Sequence, residues 1–127
     1  MKNISTKISL AVLAVIITSF MFMYGCGDDP EMGIGPVKEV KLEAAVNTDL
    51  AGKGKQVFDV KCVACHKIDE KLVGPALKDV TKRRKPEWIM NMILNPEQMT
   101  KENMIAKNLF AQYMIQMTFQ NVTQDEA

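Results

Sequence analysis

The longest apolar stretch comes first. Residues 8–24 carry no charge and follow Lys2 and Lys7. A short basic start before an apolar run is the pattern of an export leader, so residues 1–25 are read as a signal peptide. From residue 27 to residue 47 the pattern changes. Gly27, Gly33, Gly35, Pro30 and Pro36 break any regular period, and residues 26–47 read as a stalk. Thr48 or Asp49 then caps a helix predicted to reach about Val63, with Gly54, Phe58 and Cys62 four apart on one face. Gly54 on that face suits the close approach of another helix. Pro86 to Leu94 reads as a helix with proline in its first position, ended by Asn95-Pro96. Lys101 to about Tyr113 reads as another, with Ile105, Leu109, Phe110 and Tyr113 as a partial stripe. Residues 114–122 lose helical phasing and read as a loop. Thr123-Gln124-Asp125-Glu126 has the form of a capping box, which opens a helix. A cap with no helix behind it predicts that this sequence is a fragment lacking its last helix.

These elements make an all-α domain over residues 48–127, and composition narrows it. Without the leader, roughly a hundred residues remain, enough for one small domain. Two of the 16 lysines and arginines fall in the leader, so the remainder is near neutral at net −1. That balance argues against a nucleic-acid binder. Aromatic residues are only 6% of the chain, thin for a core of this length. A bound apolar cofactor would supply the deficit. Lys82-Arg83-Arg84-Lys85 is read chiefly as a solvated face, with docking of an acidic partner or charge balance for a cofactor as its functional role.

The candidate chemistry lies in three cysteines and one histidine. Cys62-Val63-Ala64-Cys65-His66 has the spacing of covalent c-type haem attachment. Two thiols add to the two porphyrin vinyl groups, and the next residue turns its imidazole onto the iron. A redox dithiol would sit at a helix start in a βαβ pattern, and no strand pattern adjoins this motif. Structural zinc needs four ligands, and only Cys62, Cys65 and His66 stand together. Cys26 follows the apolar run directly and reads as a lipidation site, with an uncleaved signal anchor as the alternative. Either one tethers the domain on the periplasmic side of a membrane.

With one histidine, a methionine is expected as the second axial ligand. Met90, Met92 and Met104 sit on helices and read as core filler. Met99, Met114 and Met117 lie near turns, and Met117 best fits a loop crossing the haem face. Pro75, in Val73-Gly74-Pro75-Ala76-Leu77, offers a free carbonyl to an imidazole N–H. The bland reading of this run is a Gly-Pro turn. Trp88, the only tryptophan, needs an acceptor for its indole N–H if buried: a haem propionate, or a carbonyl of the core.

Residues 50–127 resemble the class I cytochrome c family in its single-domain monohaem form. The likeness rests on Gly54, Phe58, Cys62, Cys65, His66, Gly74-Pro75-Ala76-Leu77, Glu87-Trp88-Ile89, Asn95-Pro96 and Met117. It implies one haem c, thioether-bound at Cys62 and Cys65, with His66 and Met117 on the iron. It implies that Pro75 accepts the imidazole N–H, that Trp88 holds a propionate, and that a C-terminal helix packs across the first one. Thr118 stands where the family often has proline. The implied function is one-electron transfer by a monomer, not enzymatic turnover, between a membrane donor and an exported reductase or oxidase. Two rivals belong to other classes: a five-coordinate haem peroxidase or gas sensor, and a haem-free thiol–disulfide lipoprotein.

Overall fold

Asn47 opens the first helix, one residue before the expected cap. Its side-chain oxygen accepts from the N–H groups of Asp49 and Leu50 at 3.2 and 3.1 Å. In the computed structural model, which describes residues 29–127, this helix is α1, Thr48–Lys61. The leader and Cys26 lie outside the described residues. A short α2, Val80–Arg83, precedes α3, Pro86–Leu94. Asn95 ends α3 as expected, but Pro96 immediately starts α4, Pro96–Glu102, which the sequence reading missed. The helix expected over 101–113 breaks at Asn103, whose side chain caps α5, Met104–Tyr113, by accepting from Ile105 and Ala106. Among the described residues there is no strand, and no helix is long and apolar enough to cross a membrane.

The core lies among α3, α4 and α5. Trp88, Met99 and Ala106 are buried at its centre, with Ile34, Ile89, Met92, Ile105 and Leu109 packed around them. Met92 is the core filler expected, but Met104 is exposed. Helix α5 turns its partial apolar stripe, Ile105 and Leu109, inward.

The segment read as a stalk is packed against the domain in its first part. Residues 29–40 lie as a strap over α3–α5, beginning with a 3-10 turn at Pro30–Met32. Fully buried Asn91 grips it at three points. Its amide oxygen accepts from Val37 N–H at 2.9 Å, and its amide nitrogen donates to Met32 O and Val37 O at 2.9 and 2.8 Å. Asn103 donates to Pro30 O at 2.7 Å, and Ile34 N–H donates to Met99 Sδ at 2.9 Å. Two glycines permit this fit. Gly33 has φ 71° and lies against Met99, and a Cβ on Gly35 would collide with the Asn91 side chain. They were read as breakers of structure, and their close packing against α3 and α4 is the reason for them.

Helix α1 stands apart from this core and contains no buried residue. Phe58 is half-buried, while Leu50 and Val60 are exposed. Outside its own turn of helix, no described atom comes within 4 Å of a Cβ built on Gly54, so the close helix expected there is not among the described residues.

Candidate functional site

Helix α1 ends where the motif begins. Lys61 is its last residue and Cys62 its C-cap, two residues before the end expected. Cys65 and His66 donate their N–H groups back to Cys62 O at 3.1 and 2.9 Å, so the motif forms a tight turn on the end of the helix. Both thiols are free; Cys62 is half-buried and Cys65 exposed. Burial pushes the Cys62 thiol up, and neighbouring Lys61 partly offsets it. A nucleophilic dithiol needs the opposite shift.

The following loop folds back to hold the imidazole. Gly74 N–H donates to Cys65 O at 2.9 Å, and Leu77 N–H donates to Lys67 O at 3.0 Å. Between these anchors, Pro75 O lies 3.1 Å from His66 Nδ1. A carbonyl only accepts, so Nδ1 carries the proton and Nε2 keeps its lone pair for a metal. Gly74 is buried because the ring lies against it. A Cβ there would stand 2.9 Å from Nδ1 and 3.0 Å from Nε2. The expected Pro75 contact is present, and Gly74 is the residue the sequence reading passed over as part of an ordinary turn.

The three methionine candidates separate. Met99 is fully buried, and its sulfur already accepts the Ile34 N–H. Met114 is the C-cap of α5, 75% exposed and in the left-handed region at φ 55°. Met117 is half-buried in the irregular segment after α5. Downstream, Thr123 N–H donates to Glu126 Oε2 at 2.9 Å, the reciprocal bond of the expected capping box. Lys61 Nζ donates to Asn121 O at 2.7 Å, which ties this segment to the end of α1 beside Cys62.

Trp88 is corrected. Its buried indole N–H donates to Asn103 Oδ1 at 3.1 Å, so the acceptor is a core amide. The Arg84 guanidinium carbon lies 5.4 Å from the ring centroid. The basic cluster is no bare patch either. Lys82 pairs with Asp79 at 2.8 Å and Arg83 donates to Ala76 O at 3.2 Å. Arg84 pairs with Glu31 at 3.4 Å and Lys85 with Asp29 at 2.6 Å. Asp29 is held below the usual carboxylate range by its bond to Lys85 and the Glu31 N–H, and Lys85 is raised in turn by Asp29.

Two free thiols three apart, an adjoining imidazole with its coordinating nitrogen free, and a half-exposed apolar lip at Ile68, Leu72 and Val73 suit a covalently held, flat, apolar metal complex. The cytochrome c family model matches residues 51–127, and the chain belongs to that family. Its cofactor is covalent haem c with iron, and the residues present fit it.

The chain is 61% identical to cytochrome c-551 of Pseudomonas denitrificans over 28 residues, 21% of this chain and 34% of that protein. It is 51% identical to cytochrome c-551 of Stutzerimonas stutzeri over 37 residues, 28% of this chain and 36% of that protein. The matched stretches thus span about a third of those relatives' length. The structure is similar to cytochrome c from Rhodothermus marinus, with a TM-score of 0.74 and 44% identity over 77% of this chain and 87% of that one. The helical architecture expected from the sequence is that of this fold.

Proposed function

We propose that the protein is a one-electron carrier with haem c bound through Cys62 and Cys65 and with His66 and Met117 as axial ligands. It works in a periplasmic respiratory chain, tethered to a membrane through lipidated Cys26. The observation that carries this reading is the His66–Pro75 bond beside two free thiols. Bound there, haem iron supplies a one-electron couple between its ferric and ferrous states. His66 Nδ1 is held by a carbonyl, which fixes the ring and its tautomer and raises the basicity of Nε2. With haem bound and Met117 on its iron, no position would be left open for substrate, so turnover chemistry is not proposed. Its partners are a membrane-bound electron donor and an exported reductase or oxidase, met by a monomer. The motif stands at the C-terminal end of α1, where the helix dipole disfavours a thiolate, and this counts against the thiol–disulfide rival.

An optical spectrum of the exported protein, made with a haem-attachment system, tests this. A reduced c-type spectrum and an oxidised near-infrared sulfur-to-iron band are expected, and Met117→Ala should abolish the band. Haem without the band, or a band that survives Met117→Ala, would overturn the ligand assignment. Absence of covalent haem would overturn the function.

A further inference from the structure

The strap bears on how the domain sits against a membrane. Every hydrogen bond and ion pair that residues 29–40 make with the rest of the described chain goes to residues 84–103, from Arg84 to Asn103, and none goes to α1. The grip is buried: Val37 is 3% exposed and Asn91 0%. Asp29, where the strap begins, is three residues after Cys26. Three extended residues reach about 10 Å. A free stalk from residue 26 to residue 47 would let the domain wander, with a root-mean-square span of roughly 25 Å and a far longer full reach.

We propose that the strap shortens the tether and presses one face of the domain, the start of the strap with Arg84 and Lys85 before α3, against the phospholipid headgroups. This rests on the lipidation of Cys26 proposed above. The charges on that face suit the role. Asp29 pairs with Lys85 and Glu31 with Arg84, so these four charges cancel within the patch and Asp28 adds a single negative charge beside the anchor, which suits a zwitterionic headgroup surface. Glu87 also accepts from Val40 N–H at 2.9 Å, fixing the far end of the strap along α3. Helix α1 and its motif take no part in this grip and stay available to protein partners.

The test uses the exported, acylated holoprotein in phosphatidylcholine vesicles carrying a headgroup fluorophore. Haem absorbs the emitted light, so quenching reports how close the domain lies to the bilayer. Flotation with the vesicles reports anchoring separately. Wild-type protein is expected to float and to quench strongly. A flexible Gly/Ser insertion of about twenty residues between Asp28 and Asp29 should still float but quench at least about twofold less. Asn91→Ala, which loosens the strap, should fall between the two. Equal quenching by wild type and the insertion variant would overturn the short tether. Wild-type protein that fails to float would overturn the lipidation reading, and this proposal with it.

Discussion

The two halves of the molecule are held together differently. The strap and α3–α5 close on themselves. Met99 and Asn91 are fully buried there, and among the described residues no buried side-chain polar atom lacks a partner. Helix α1 and its motif do not. That helix buries no residue, and Leu50, Val60 and Val63 are 61%, 81% and 48% exposed. A helix of 14 residues is marginal in water unless something covers its apolar face. The described residues leave much of that face exposed; haem held at Cys62 and Cys65 is expected to cover part of it, as is the helix that the resemblance implies across α1. One half is closed by amide clamps and a small core, while the other has a first helix that the described residues leave largely uncovered.

The harshest way to break this comparison is to remove the attachment. Cys62→Ser with Cys65→Ser should abolish covalent haem. Hydrogen exchange of α1 amides should then quicken at least about 100-fold over the holoprotein, while α3 and α5 lose much less protection. Equal loss throughout would show that the halves are one cooperative unit. Asn91→Ala attacks the other half. It strips partners from Val37 N–H, Val37 O and Met32 O, and should destabilise the holoprotein by about 2–4 kcal/mol in a denaturant melt. The haem spectrum should not change. A changed near-infrared band would show that the strap reaches the iron ligands.

The same division explains what could be read from the sequence. The motif half declares itself locally: two thiols and an imidazole within five residues, a helix on their N-terminal side, and a Gly-Pro pair within reach. Helix α3 was legible for the same reason, since Pro86 starts it and Asn95-Pro96 stops it. The strap was not. Its glycines and prolines mark broken backbone, but its partner Asn91 is 54 residues away from Val37 and sits inside the apolar run Ile89-Met90-Asn91-Met92-Ile93. A polar residue there, on a helix face about to be buried, was the one available clue. Asn103 hid in the same way. It interrupts what reads as one helix, and the same side chain caps α5, receives the Trp88 indole and holds Pro30. For Trp88 the acceptor among the described residues is this core amide, the second of the two partners its sequence allowed. The charge run at 82–85 looked like an open surface because its partners Asp29 and Glu31 belong to the strap.

Gly74→Ala probes the motif half without removing its ligands. The new methyl would run into the His66 ring, so either the ring or the loop must shift. A loss of roughly 1–3 kcal/mol is expected. The reduction potential should move too, because the Pro75 contact is disturbed. An unchanged potential would mean that the ring position is set by something other than this loop. Trp88→Phe is milder and belongs to the other half. It removes the bond to Asn103 and some volume, at about 1–2 kcal/mol, and should leave the potential where it was. A shifted potential would return Trp88 to the cofactor and blur the boundary between the halves.

The smallest effect is a gain, and it falls at the junction. Met114 ends α5 with φ 55° and ψ 23°, a conformation that costs a side-chain-bearing residue about 1–2 kcal/mol and glycine almost nothing. Its side chain is 75% exposed and contributes little packing. Met114→Gly should therefore relieve strain. Part of that relief is offset by the extra freedom glycine gives the unfolded chain. A net stabilisation of about 0.5–1 kcal/mol is expected in the melt of the holoprotein. The near-infrared band should persist, because Met117 lies three residues further along the irregular segment and is half-buried. Loss of the band with Met114→Gly would transfer the distal ligand to the end of α5. The iron would then be joined directly to the last helix of the self-contained half, and the two regions would share a ligand as well as a chain.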